Sequence, residues 1–349
     1  MNIDFQELEY LKNPSNVTLK GDFYQFLLSL DVPTVIDISG KDSTKTRVVT
    51  TLIHGNEPSG LIAIHRWLTK DKEAPKPETN IRFVIASVEA ANASPTLSNR
   101  YLKGGLDLNR CFGSDLNHSY FLRANTIERA IREVNPEVVV DLHNTSGSGP
   151  AFAVSPLIST QSLALASLFC DTAILSDIRL GALMEQNFDC PIITVECGGA
   201  NDEQAHEVAY EGIVELASSP CLDMSQQHNC VDIIYKPLRL KLTPNAQLHY
   251  ANQDEGLAGV TLCENIEQFN YGPVRKGQML GWLDQHGLDN LQLTNDANEN
   301  LVKQFFTVRD SQLVSICYMR IFMATRVKDI ASNDCLFYIV KMPTTSALQ

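Results

Sequence analysis

The chain has 349 residues, 44% of them hydrophobic and 20% charged, with a formal net charge of −13 and a sequence pI of about 5.0. Length and composition suit a globular protein with room for two domains and a sizeable core. The acidity excludes a general phosphate-binding surface, so nucleic acid is not an expected partner.

The sequence opens MNIDFQELEYLKNPSN, acidic before its first lysine and without the apolar core of a secretory signal. From there to about residue 217 strand and helix patterns alternate. Strands are expected over 33–39, 47–53, 81–87, 138–142, 151–154 and 192–195. Several are unbroken apolar runs, as when helices cover both faces of a sheet. Helices are expected over 61–69, 120–134 and 162–170, and most clearly over 201–217, where Ala205, Val208, Ala209, Ile213 and Leu216 recur at helical spacing. Asn201 or Asp202 is the expected cap of that last helix. The stretch KEAPKPETN (72–80) reads as a surface loop and SSPCLDMSQQHNC (218–230) as a linker. Beyond it, short strand-like runs at 233–235, 238–242 and 313–316 stand between turn residues. The expected division is an α/β catalytic domain over 1–224 and a β-rich domain over 225–349.

No stretch approaches the roughly 20 apolar residues that cross a bilayer, so no membrane partner is expected. The nine cysteines, between Cys111 and Cys335, are scattered singly with no CxxC pair. Such a set reads as reduced thiols in a cytoplasmic chain, and a metal would have to use histidines and carboxylates.

Three strand ends carry candidates for chemistry. In VTTLIHGNEPSG a buried run closes on His54, with Glu57 three residues on. Ligands of open α/β sheets bind where strands end, and an imidazole and a carboxylate at this spacing can share one zinc ion. The alternative is a His bonded to backbone and a Glu in solvent. VVVDLH ends on His143, a third ligand, with Asp141 placed to orient the ring; a capped strand end is the alternative. IITVECGG places Glu196 at the mouth of another apolar strand, where a carboxylate is costly unless partnered or functional. Its role would be to take a proton from the attacking water and give it to a leaving amine, or else it pairs with an arginine. Of the other six histidines, His65, His118, His206, His228, His249 and His286 are read as surface or packing residues. In SNRYLKGGLDLNRCFG, Arg100, Asn109 and Arg110 could anchor an anionic substrate and polarise a carbonyl, or form a solvated basic loop.

Together HGNEPSG, NRY, DLNR, DLHNT and VECGG occur in the order seen in the succinylglutamate desuccinylase/aspartoacylase family, of the wider zinc carboxypeptidase-like clan, and the chain resembles that family over about residues 45–217. The resemblance implies an α/β fold, an open mixed sheet flanked by helices, with a smaller C-terminal β-rich domain that partly caps the site. It implies one zinc ion per chain on His54, Glu57 and His143, Glu196 as catalytic acid/base, and Arg100 polarising the scissile carbonyl. Asn109 and Arg110 would hold a substrate carboxylate, and Tyr338 would reach the substrate from the second domain. Where aspartoacylases carry a second carboxylate-binding arginine, this chain reads MEQNFDC, with Gln186 near the matching place.

The expected activity is zinc-dependent cleavage of an amide bond in a small N-acylated amino acid or related compound. A carboxypeptidase-like metallopeptidase acting on short peptides would use the same residues. A non-catalytic metal-binding module is the reading from another class, and the presence of Glu196 speaks against it.

Overall fold

The computed structural model describes residues 3–14, 19, 21–69, 76–177, 179–222, 231–295 and 297–342. Part of the expected loop (72–75), most of the expected linker (223–230, with residue 225 and His228) and Met1 lie outside these residues. The chain divides into two units, one of Met1–Asn144 with Ala151–Ile233, the other of Thr145–Pro150 with Ile234–Gln349.

The first unit is built on a mixed nine-stranded sheet. Its strands are β1 (Glu9–Lys12), β2 (Thr34–Ile38), β3 (Asp42–Thr51), β4 (Thr79–Ile85), β5 (Val138–Thr145), β6 (Phe152–Ser155), β7 (Thr172–Leu175), β8 (Ile192–Gly199) and β9 (Asp232–Tyr235). They lie in the order β1-β2-β4-β3-β5-β8-β6-β7-β9. β3 runs parallel to β4 and β5, whereas β2 is antiparallel to β4 and β6 to β8. The helices are α1 (Phe23–Leu28), α2 (Ser59–Thr69), α3 (Val88–Asn92), α4 (Ser119–Arg132), α5 (Thr160–Ala166) and α6 (Glu203–Ser218).

Side chains of a strand alternate between faces, and here both faces are covered. Ile36, Val49, Phe83 and Val140 pack on one side with Leu61 and Ile64 of α2 and Ala209 and Ile213 of α6. Their neighbours Val35, Val48, Val84 and Val139 pack on the other with Ala124, Ile127 and Ile131 of α4. This two-sided burial is why the central strands read as continuous apolar runs.

The strands carrying the candidates differ from their sequence-based bounds in an informative way. β3 stops at Thr51, because Leu52 takes a positive φ of 51° and turns the chain toward His54. β5 and β8 continue past the end of their apolar runs, to Thr145 and Gly199. Backbone pairing persists there, as in Phe152 opposite Glu196, although the side chains have become polar. His143 and Glu196 therefore lie within strands and not at their mouths. Asp202 stands at the N-cap of α6, but its side chain accepts from the Gly199 N–H (3.2 Å) and makes no cap bond within the helix.

The second unit holds two five-stranded sheets, one of which contains 238–242, 319–322 and 337–341, the other 260–263, 279–283 and 312–315. Leu240, Ile321 and Phe337 of the first share a core with Leu262, Leu280 and Leu313 of the second, the packing of a β-sandwich.

Candidate active site

His54, Glu57 and His143 converge. All three are buried, and a ligand atom from each lies within 4.8 Å of the others. The turn after β3 supplies His54 and Glu57, while β5, the parallel neighbour of β3, supplies His143. α2 starts just beyond, and its approach is close: a Cβ on Gly60 would stand 2.2 Å from Thr51 Oγ1 and 3.0 Å from Leu142 Cβ. Glycine there lets the helix start, and with it Glu57, sit against the strand ends.

Each histidine is held by two carboxylates. His54 Nδ1 faces Glu57 Oε1 at 2.9 Å, and its Nε2 faces Asp107 Oδ1 at 2.9 Å. His143 Nδ1 faces Glu57 Oε2 at 2.7 Å, and its Nε2 faces Asp141 Oδ2 at 2.7 Å. Asp141 is fixed in turn by the Thr50 hydroxyl, which donates to Oδ1 at 2.5 Å from the register partner on β3. Residues i and i+2 of a strand share a face, so Asp141 backs His143. The hydrogen-bond network assigns the tautomers: with Nε2–H donated to a carboxylate, each neutral ring turns its Nδ1 lone pair toward Glu57. Two lone pairs facing two carboxylate oxygens require a cation between them, either protons or a metal ion. This donor set of two imidazoles and a carboxylate fits zinc, and the carboxylates behind the rings are the usual orienting partners of metal-bound histidines.

The charge distribution agrees. Burial alone would raise the Glu57 carboxyl, but His54 and His143 outweigh it and hold the group well below the usual carboxylate range. Burial would lower His143, yet Asp141 and Glu57 hold it well above an ordinary histidine. Asp107 is likewise held well below the usual range against its burial, by the His54 hydrogen bond and by Arg100 and Arg110. Asp107 was not singled out by the sequence reading. The available signal was DLN, a carboxylate two residues before a site residue, as Asp141 stands two before His143.

Glu196 is the exception in this network. Its Oε2 is enclosed and has no hydrogen-bond partner. Burial is the main cause of a carboxyl pushed up to about 7, with the charge of His143 opposing and that of Glu57 reinforcing the rise. The arginine partner that a purely structural Glu196 requires is absent among the described hydrogen bonds and ion pairs of that oxygen.

Arg100 donates through Nε and Nη2 to Asp107 Oδ2 (both 3.1 Å) and through Nη1 to Glu57 Oε1 (3.3 Å). These bonds use three of the five N–H groups of a guanidinium. Asn109 is locked by its side-chain oxygen, which accepts from the Leu183 N–H at 3.0 Å, while Arg110 is exposed and donates to the Asn109 carbonyl at 2.8 Å. Gln186 lies next to this loop: a Cβ on Gly113 would stand 2.6 Å from its Oε1. Tyr338 lies in the second unit, opposite Arg239 and Phe322 in its sheet and stacked on the Phe322 ring at 5.9 Å.

The chain is similar in fold to a succinylglutamate desuccinylase/aspartoacylase from Rhodobacter sphaeroides, at 14% identity over 89% of each chain with a TM-score of 0.54. It is similar to the succinylglutamate desuccinylase from Chromobacterium violaceum, at 14% identity over 93% of this chain and 99% of that one, TM-score 0.54. Murine aminoacylase 3 is matched at 16% identity over 87% of this chain and 98% of that one, TM-score 0.50. No curated protein sequence matches the chain. Residues 43–210 match the family model of the succinylglutamate desuccinylase/aspartoacylase catalytic domain. The chain thus shares its fold with the desuccinylase/aspartoacylase structures, as the sequence resemblance implied. No described helix is long and apolar enough to cross a membrane.

Proposed function

We propose that the protein is a zinc-dependent hydrolase that cleaves the amide bond of a small N-acyl amino acid. The observation that carries this reading is the convergence of His54, Glu57 and His143 on one point, with both imidazoles backed by carboxylates. These three residues would hold the ion. Zinc bound there supplies Lewis acidity, which polarises an amide carbonyl and makes water a nucleophile near neutral pH.

The remaining chemistry belongs to side chains. Burial raises the Glu196 carboxyl toward neutrality, to about 7 in the metal-free protein. It can accept the proton of the attacking water and pass it to the departing amine nitrogen. Two Arg100 N–H groups beyond the three already engaged are available to a carbonyl oxygen as it gains charge. Arg110, exposed beside Asn109, is the anchor for the substrate carboxylate, and the Asn109 amide NH₂ is the end of that side chain left for substrate. With Gln186 near the place where aspartoacylases carry a second arginine, a single carboxylate is sufficient for recognition.

A hydrolysis screen of matched N-acyl amino acids, their carboxamides and short peptides with zinc-loaded protein tests the reading. The expected substrates are acyl-amino acids with a free carboxylate. Turnover confined to peptides would replace the deacylase by a carboxypeptidase, and no turnover of any amide would remove the enzyme.

A further inference from the structure

Behind the metal pocket lies a chain of hydrogen bonds that the reaction scheme does not use. Asn144 follows His143 on β5 and is buried. Its side-chain Nδ2 donates to Ser59 Oγ at 2.7 Å and to the Gly198 carbonyl at 2.9 Å, and its Oδ1 accepts from the Ser59 N–H at 3.0 Å. Its own backbone N–H points at Glu57 Oε2, 3.3 Å away. One amide thus touches three segments: the start of α2 two residues beyond Glu57, the strand of His143, and β8 two residues beyond Glu196.

Ser59 is fully buried and continues the chain outward to His206 of α6, whose Nδ1 is 2.8 Å from Ser59 Oγ. The serine has a single hydrogen. Asn144 donates to its oxygen, and among the described hydrogen bonds His206 Nδ1 is the one acceptor left for that hydrogen, which assigns His206 as the neutral Nε2–H tautomer. Burial does lower His206 below an ordinary histidine, against the pull of Glu203, Asp202 and Glu207. The residue is half-buried and bonded to a hydroxyl at the back of the site.

We infer that His206, Ser59 and Asn144 are positioning residues that together fix the spacing between the metal-binding carboxylate Glu57 and the base Glu196. The inference rests on the proposed function, since it assigns a purpose to the spacing of two groups named there. The physical argument concerns rigidity. A base works only when held within hydrogen-bond reach of the proton that it takes, and a carboxylate with an enclosed, unpartnered oxygen such as Glu196 has little of its own to fix it. The Asn144 amide joins β8 to the start of α2 directly, and the Ser59–His206 bond stops that serine from turning its hydroxyl elsewhere.

The half-buried His206 provides variants that need not disturb the core. Zinc affinity by chelator competition, steady-state kinetics on the best acyl-amino acid and thermal midpoints would be measured for wild type, His206→Leu, His206→Gln and Ser59→Ala. For His206→Leu and Ser59→Ala the expected result is zinc binding weakened about tenfold and kcat lowered about tenfold, with KM within about twofold. Glutamine can still accept from the Ser59 hydroxyl through Oε1, so His206→Gln is expected to recover both properties to within about threefold. A His206→Leu protein with wild-type zinc affinity and kcat, even at a lower thermal midpoint, would leave the residue as packing and overturn the inference alone. A wild-type protein that binds no zinc would overturn it together with the function on which it rests.

Discussion

Glu196 concentrates a conflict between stability and chemistry in one side chain. An unfolded chain holds this carboxyl near 4.5, whereas the folded protein raises it to about 7. Between those values the native state binds the extra proton, so the stability present below about 4.5 is lost as the pH rises through about 7. Glutamine has the same shape and no charge. In zinc-free protein, Glu196→Gln should exceed wild type in stability at pH 8 by about 1–3 kcal/mol, and by much less at pH 5, in denaturant titrations. The same variant should lose on the order of 10²–10⁴-fold in kcat while still binding zinc. A variant less stable than wild type at pH 8, or fully active, would make Glu196 a structural partner. The two arginines should separate by kinetics. Arg110→Ala should raise KM with a smaller change in kcat, because a carboxylate anchor holds substrate and transition state alike. Arg100→Ala should mainly lower kcat, and it should also weaken zinc binding, because Arg100 donates to both Glu57 and Asp107. Gln186 predicts no strong preference for N-acetylaspartate over monocarboxylate acyl-amino acids, and a strong preference would show that another residue holds a second carboxylate. At this scale the cluster of His54, Glu57 and His143 was legible in sequence, because histidine and glutamate at the close of apolar runs are costly without a purpose. Asp107 and His206 were not legible, since their roles depend on partners 53 and 147 residues away.

Among elements, β3 carries the greatest burden, and its first buried residue is a charged one. Arg47 is completely buried, donates to Glu137 Oε2 at 3.0 Å and to the Ser219 carbonyl at 2.8 Å, and also bonds the Leu216 carbonyl. It therefore ties the start of the central strand to the end of α6, the helix that carries His206. Removing one partner of a buried charged network leaves the others desolvated and unpaired. Arg47→Ala should accordingly lower unfolding free energy by about 3 kcal/mol or more, read from the denaturant midpoint at unchanged slope. A loss below about 0.5 kcal/mol would mean that solvent replaces these bonds, as at a surface position. The elements themselves were read from sequence with uneven success. β2, β4 and α6 came through because burial leaves a near-continuous apolar run in the two strands and a helical period in α6. The edge strand β1 is largely exposed and was missed, since with little burial its sequence carries little pattern. The ends of β5 and β8 were misjudged because apolar side chains stop before the backbone pairing does.

Over the whole molecule, the fold is matched by a solved structure at only 14% identity. The change of character after the first two-thirds of the sequence reflects a real change of architecture, from a helix-covered mixed sheet to a pair of smaller sheets. The short segment Thr145–Pro150 clusters with the second unit; its sequence, TSGSGP, breaks sharply from the apolar strand before it but does not tell which unit it joins. The central claim is that His54, Glu57 and His143 form one zinc site served by Glu196. Zinc content measured per chain in wild-type, His143→Ala and Glu196→Gln proteins, purified in parallel, tests it most directly. The account predicts about one ion in wild type, a near-complete loss in His143→Ala and about one in Glu196→Gln. Equal zinc in wild type and His143→Ala, or loss in Glu196→Gln alone, would contradict it.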